Sequence, residues 1–142
     1  MEKIPSFQKN HDTLETGLHA QTDKNGVTTF DLRFKKPNGG DYITPKALHT
    51  IEHLMATVLR NSAQKNNIVY FGPMGCRTGF YLLTLRITYA EVIELLKESI
   101  PKALALDEIP GSKREECGNY LEHDLEGAKE ELRKYLEILE RI

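Results

Sequence analysis

The stretch HTIEHLMATVLRN, residues 49–61, constrains this chain most, because it lays a helical period and a set of metal-type side chains on one segment. At about 100° per residue, Leu48, Ile51, Met55, Val58 and Leu59 gather on one side of a helix, and His49, Glu52, His53 and Ala56 gather nearly opposite. The apolar side has to be buried, so the histidines face away from whatever core this helix joins. Two imidazoles one turn apart on a common face can converge on one cation, and a carboxylate three residues after the first stands beside that cation without having to bind it. Without a ligand the same residues would only decorate a polar helix surface.

Partners for the apolar side are legible on both flanks. Around TDKNGVTTFDLRF, an Asn25-Gly26 pair precedes an alternation in which Phe30, Leu32 and Phe34 point one way and Asp31, Arg33 and Lys35 the other. That pattern predicts a hairpin feeding a half-buried strand. Thr44-Pro45 reads as an N-cap followed by proline at the first helical position, which starts the histidine helix. NIVYF and FYLLTLRI predict a second pair of strands, joined by the glycine-dense loop GPMGCRTG that holds Cys76. Thr88 and Glu91 have capping-box spacing before VIELLKESI, a helix that Pro101 should kink or end. Leu121, Leu125, Ala128, Leu132, Leu136 and Leu139 mark a final amphipathic helix. No repeat, low-complexity tract or linker interrupts the chain, and 142 residues with 39% hydrophobic content suffice for one core. The expectation is a single compact α+β domain over residues 1–142, an antiparallel sheet with helices packed on it.

Charge and cysteine usage narrow the chemistry. Nineteen basic against 21 acidic residues leave a formal charge of -2, with no basic block dense enough to follow a phosphate backbone, so nucleic acid is excluded as a partner. MEKIPSFQKN lacks the apolar core of a signal peptide and nothing approaches the roughly 20 apolar residues that span a bilayer, so the chain reads as cytoplasmic. In a reducing compartment Cys76 and Cys117 read as thiols or metal ligands rather than a disulfide. A catalytic divalent metal usually takes three protein ligands and keeps a fourth position open, so the histidine pair needs one more donor. Spacing does not choose between the cysteines. Cys76, between Gly75 and Arg77 in a tight loop, suits proton transfer. Cys117, in REECGNYLEHDLEGAK ahead of the last helix, suits ligation. His123 could complete the site instead, but reads as a surface residue of that helix, and His11 and His19 have no motif of their own. Two other readings stay open. One is an inverzincin-like peptidase with Glu115, Glu116 or Glu126 as the further ligand; the other is a non-catalytic zinc module filled by both cysteines.

LHTIEHLMATVLRN, GPMGCRTGFYLL and ECGNYLEHDLEGAK, with PSFQKNH at the start and TFDLRFKKPN between, resemble the S-ribosylhomocysteine lyases, the LuxS family of quorum-sensing enzymes, over nearly the whole chain. The resemblance implies a fold of the LuxS and MPP-like metallohydrolase type. It implies ferrous iron, replaceable by zinc or cobalt and one per chain, held by His49, His53 and Cys117, with Cys76 and Glu52 as the acid/base pair. The implied reaction cleaves S-ribosylhomocysteine to homocysteine and dihydroxypentanedione, an autoinducer precursor, by carbonyl migration and β-elimination without a redox cofactor. A homodimer with active sites at the interface is implied as well, its substrate pocket lined by Ser6, Phe7, His11 and Arg33, with the N-terminal residues reaching in from the partner subunit. Two features depart from the family pattern: the stretch between His11 and Arg33 is short, and Tyr70 stands where many relatives place an acidic residue.

Overall fold

A computed structural model describes residues 1–142. Its sheet contains β1 (Gly17–Thr22), β2 (Val27–Arg33), β3 (Ile68–Pro73) and β4 (Gly79–Leu85), in the order β1-β2-β4-β3 with every pair antiparallel. The first hairpin turns where the sequence places it: the Asp23 carboxylate accepts the backbone N–H groups of Asn25 and Val27, and Gly26 takes a φ of +83°. At the second turn Gly79 is required, since a Cβ there would stand 2.2 Å from the Leu32 carbonyl oxygen of the neighbouring strand.

Three long helices cover one face of this sheet. α2 (Pro45–Arg60) starts at the Thr44 cap, whose side chain accepts from Ala47 N–H. It buries Ala47, Thr50, Ile51, Leu54, Met55 and Leu59. The other two are α3 (Tyr89–Leu104) and α4 (Leu125–Glu140), while a single turn, α1 (Pro5–Gln8), precedes the sheet. Thr88 and Glu91 form the full capping box of α3. Phe30, Leu32, Phe34, Phe71, Phe80 and Leu82 meet the buried faces of the helices in one core, in which Phe34 stacks on Tyr135 at 4.1 Å between ring centroids.

Three sequence expectations change here. Pro101 does not end α3, which runs on to Leu104, because it falls in the last turn, where only one backbone bond is forfeited before Ala105 N–H closes on the Pro101 carbonyl at 3.1 Å. The last helix begins at Leu125, not near Leu121: Asp124 caps it by accepting Gly127 N–H at 2.9 Å, and Leu121 is left exposed. Its buried stripe is Ala128, Leu132, Tyr135 and Leu139. The third change matters most for function. β2 is not half-buried, since Asp31 and Arg33 are 0% and 1% exposed and Lys35 just beyond them is buried too. Charges tolerate this only when paired. Asp31 receives both Arg33 and, at 3.1 Å, Lys9 from the N-terminal segment, and Lys35 lies 2.8 Å from Glu131 on α4. The N-terminal segment is therefore the cover of the sheet's second face. Ser6 Oγ reaches the Tyr81 hydroxyl at 3.0 Å beside it.

Candidate metal centre

The outward side of α2 presents His49 and His53, and the long connection 105–124 between α3 and α4 wraps across them. His49 Nδ1 lies 2.7 Å from the Glu122 carbonyl and His53 Nδ1 lies 2.8 Å from the Pro110 carbonyl. A carbonyl only accepts, so each ring donates through Nδ1–H and keeps the Nε2 lone pair free for a metal. Gly111, at φ +69°, allows the turn that aims the Pro110 carbonyl at His53. Cys117 Sγ lies 3.5 Å from His49 Nε2 and 3.9 Å from His53 Nε2. Zinc-type bond lengths in a tetrahedral arrangement separate sulfur and nitrogen donors by about 3.5 Å, so these residues fit a divalent transition metal without rearrangement. One thiolate and two imidazoles suit iron(II), cobalt or zinc and disfavour magnesium or calcium.

His123 does not sit on the surface of the last helix. It stands one residue before the Asp124 cap, half-buried, with its ring stacked on His49 at 4.0 Å and its Nε2 3.9 Å from Cys117 Sγ. The four donor atoms of His49, His53, Cys117 and His123 lie within 4.8 Å of one another. Burial holds the His123 pKa down to about 4, the nearness of His49 and His53 works the same way, since two adjacent imidazoles disfavour a third cation, and Glu122 offsets them only in part. The helical wheel hid this residue by assigning 121–124 to α4; the separate signal was the spacing of Cys117 and His123 within one loop. None of the four donors is a carboxylate, as the peptidase reading required, and Cys76 is not among them, as the two-cysteine zinc module required.

Glu52 lines a cleft of about 390 Å³ beside His53, with Arg60, Tyr70, Pro110 and Glu116 among its walls. Tyr70 thus belongs to the metal side. Its hydroxyl lies over Gly72, where a Cβ would come within 2.0 Å of it.

Cys76 occupies a different cleft, of about 370 Å³, at the β3–β4 turn, where Ser6, Phe7, His11, Arg33 and Met74 also line the wall. Its Sγ lies 3.1 Å from Thr78 Oγ1, and Arg33 Nη1 donates to that same hydroxyl at 2.8 Å. Guanidinium only donates, so Thr78 accepts from Arg33 and its own hydrogen is free for the sulfur. Asp31 accepts Arg33 Nε and Nη2 together and fixes the plane of the fork. Phe7 is exposed, a wall of the cleft and not part of the core, and Arg33 is fully buried, not a solvated strand residue. Sequence reasoning missed Asp31 and Thr78, which stand two residues from Arg33 and Cys76 respectively.

The two clefts share no lining residue. Ser6, Phe7 and His11 lie against their own chain's Arg33 and Cys76, on a cleft separate from the metal donors.

Comparison with known proteins gives this arrangement a family. The pattern of the family described as S-ribosylhomocysteinase (LuxS) matches residues 4–141. The S-ribosylhomocysteine lyase of Borreliella afzelii is 45% identical over 149 residues, covering 100% of this chain and 95% of that protein. That of Phocaeicola vulgatus is 46% identical over 150 residues, covering 100% and 93%, and that of Finegoldia magna 42% identical over 148 residues, covering 100% and 94%. With a match over its full length and a donor cluster of the kind such an enzyme needs, the chain belongs to the LuxS family of S-ribosylhomocysteine lyases.

Proposed function

We propose that this protein cleaves the thioether of S-ribosylhomocysteine to homocysteine and dihydroxypentanedione, using two proton carriers, Glu52 and Cys76, and a metal held by His49, His53 and Cys117. What supports this reading most is the cleft that gathers Ser6, Phe7, His11, Arg33 and Cys76 in one wall. Those residues are scattered from position 6 to position 76 and come together on one surface. The open-chain sugar carries a carbonyl at its first carbon, and the bound metal, a Lewis acid, would polarise such an oxygen and acidify the adjacent C–H. Glu52, beside His53, and the Cys76 sulfur then take the proton from the second carbon and deliver it to the first, while the hydroxyl hydrogen of the second carbon passes to the oxygen of the first, which moves the carbonyl to the second carbon. The same exchange, repeated, moves it to the third. Removal of the proton from the fourth carbon then expels the homocysteine sulfur from the fifth by β-elimination. Arg33 and Thr78 hold the Cys76 side chain from below, and Ser6 and His11 offer hydrogen bonds to the sugar hydroxyls.

The separation of the clefts supports a homodimer with its active sites at the interface. Cys76 and Arg33 serve one, Glu52 and the metal donors serve the other, and a substrate that needs both groups is met where the thiol cleft of one subunit faces the metal centre of its partner. Such an interface is isologous, so two equivalent sites form at once. Ferrous iron is the proposed native metal, about one per chain, with zinc or cobalt as replacements. The family's roles in recycling methyl-donor by-products and in making an autoinducer precursor for quorum sensing carry over, as does a cytoplasmic location. No helix is long and apolar enough to cross a membrane. The test is incubation of reduced, metal-loaded protein with S-ribosylhomocysteine while free homocysteine thiol is followed; no release ends this reading.

A further inference from the structure

The residues that line the thiol cleft from the N-terminal side have very little to hold them there. We propose that Lys9 and Tyr81 are positioning residues of the reaction: they pin the segment that carries Ser6, Phe7 and His11 to the sheet, and so set how tightly the cleft takes substrate without entering the chemistry. The inference rests on the lyase reading for what the pins do, and on the contacts alone for their being pins.

The segment has few holds of any kind. α1 is a single turn of four residues, with no side-chain cap and no buried residue, and Ile4 and Phe7 are 54% and 69% exposed. Apolar burial, which ordinarily ties a terminal segment down, is missing here. Gln8 Nε2 donates to the Lys3 carbonyl and His11 Nδ1 to the Lys9 carbonyl, which folds the segment on itself. Lys36 grips only the stretch after it, at the Asp12 and Leu14 carbonyls and the Glu15 carboxylate. Between the segment and the strands a cleft of about 390 Å³ opens, with Pro5, Gln21 and Thr29 in its walls. Two bonds cross from residues 3–11 to the sheet: Ser6 Oγ to the Tyr81 hydroxyl at 3.0 Å and Lys9 Nζ to the Asp31 carboxylate at 3.1 Å.

Both pins stand on the same face of the sheet, because Tyr81 on β4 is the direct cross-strand partner of Asp31 on β2. They differ in kind. Tyr81 is a neutral post that lines the thiol cleft with its hydroxyl turned to Ser6. Lys9 lies outside that cleft and reaches Asp31 Oδ2, an oxygen to which Arg33 also donates. Asp31 is 0% exposed and the Lys9 side chain 25%, so solvent screens this pair less than a surface one. Arg33 has its own two bonds to Asp31, so loss of Lys9 frees the segment and leaves the support of Cys76 standing. The affinity of the cleft for substrate is scaled by the fraction of molecules in which the segment is docked. At saturation bound substrate holds the segment itself, so KM carries the effect and kcat does not.

Steady-state rates of the metal-loaded variants test this, beside a readout that needs no turnover. Tyr81→Phe should raise KM for S-ribosylhomocysteine by about 2- to 10-fold, the worth of one neutral hydrogen bond, and Lys9→Met by about 10-fold, with kcat within about twofold of wild type in both. Lys9→Arg, which keeps the cation, should restore KM. A fall in kcat at unchanged KM in Lys9→Met would mean that Lys9 acts through Asp31, Arg33 and Thr78 on Cys76, and overturns the proposal. Because Ser6→Ala already breaks the first pin, adding Tyr81→Phe to it should raise KM no further. A further rise would make Tyr81 a substrate contact and overturn its role as a pin. Chymotryptic cleavage after Phe7 tracks the population of undocked segment and should be faster in Tyr81→Phe and Lys9→Met by factors similar to those in KM. Unchanged cleavage in both variants overturns the proposal. Faster cleavage with unchanged KM leaves the pins standing and ends their part in substrate binding. Should wild type release no homocysteine at all, the lyase reading ends, and cleavage alone decides whether these two bonds hold the segment.

Discussion

The metal centre and the thiol cleft solve the same problem, holding reactive groups at fixed positions, with opposite materials. At the metal centre the scaffold is neutral: His49 and His53 hang on main-chain carbonyls, which fix the tautomer and do not titrate. At the thiol cleft the scaffold is charged: Asp31 and Arg33 form a buried pair that the half-buried Lys9 joins, and only through Arg33 and Thr78 does it reach Cys76. A metal supplies its own charge, so a neutral cradle suffices and leaves the donors free for it. The proton carrier proposed at Cys76 has to be kept in one place through changes of charge, and a fixed guanidinium does this where a carbonyl could not. The cost is asymmetric. Removing a neutral anchor loses a bond, whereas removing one member of a buried charge pair strands the other.

The largest effect that would sharpen this contrast separates the two cysteines. Cys117→Ala deletes a ligand, so metal affinity should fall by at least the ~10 to 100-fold seen for losses one shell further out, and activity with it. Cys76→Ala should keep about one metal per chain and still turn over more slowly by roughly 10²- to 10⁴-fold, the range attributed to a positioned acid or base. Elemental analysis beside initial rates decides. Metal loss in Cys76→Ala with retention in Cys117→Ala would reverse the two assignments.

Hybrid dimers test whether the clefts meet across subunits. A mixture of Cys76→Ala and Glu52→Gln proteins, allowed to exchange subunits, should regain roughly a quarter of wild-type activity, because half the dimers carry one intact site out of two. Arg33→Ala mixed with Cys76→Ala should regain nothing, since both residues line one cleft of one chain. Complementation by the second mixture and not the first would break the division described above.

A smaller effect concerns the charged scaffold itself. Asp31→Asn leaves the buried Arg33 guanidinium without its counter-charge, and the native state should lose about 3–5 kcal/mol, read from the denaturant midpoint. His49→Asn in metal-free protein, which removes no buried charge, should lose clearly less. Equal losses would mean that the contrast in materials has no energetic content.

How much of this was legible in sequence depends on whether a residue is set by its neighbours in the chain or by something distant. His49, Glu52 and His53 share one helix face, so a wheel placed them, and the Thr44 and Thr88 caps and the hairpin at Asn25-Gly26 are local chemistry. The two cysteines are different. Local sequence could only lean towards roles for Cys76 and Cys117, and the resemblance to a family was needed to name them. Asp31 and Arg33 were misread because alternation distinguishes polar from apolar faces and says nothing of a segment from residues 3–12 lying over the polar one. His123 was misread because an apolar stripe was extended one turn past its cap. Thr78 could not be found at all: a hydroxyl becomes part of the site only when Arg33, 45 residues away, donates to it.

The smallest effect follows from the reach of the charged scaffold through the sheet. Tyr135 on α4 is fully buried and donates its hydroxyl hydrogen to the Gly17 carbonyl at 3.0 Å. Burial raises its pKa well above the ordinary value of 10.0, and the negative charge of Asp31 and the neighbouring Tyr89 push the same way. In the unfolded chain the phenol ionises near pH 10, and in the native state it does not. Above that pH the unfolded state therefore binds fewer protons, and stability falls as pH rises. Lys35 adds a slope of the same sign. Burial pulls its pKa down, but Glu131 and Asp41 outweigh that and raise it above 10.5, so the native state holds a proton that the unfolded chain releases. Tyr135→Phe should cost about 1 kcal/mol at neutral pH for the lost hydrogen bond. Between about pH 9 and 11, roughly one unit either side of the unfolded phenol's pKa, the variant's stability should decline less steeply than wild type, with the Lys35 slope remaining. The check is a series of denaturant midpoints across that range. Parallel curves would show that the phenol ionises as readily in the native state as in the unfolded one, and that the charge of Asp31 stops at its own face of the sheet.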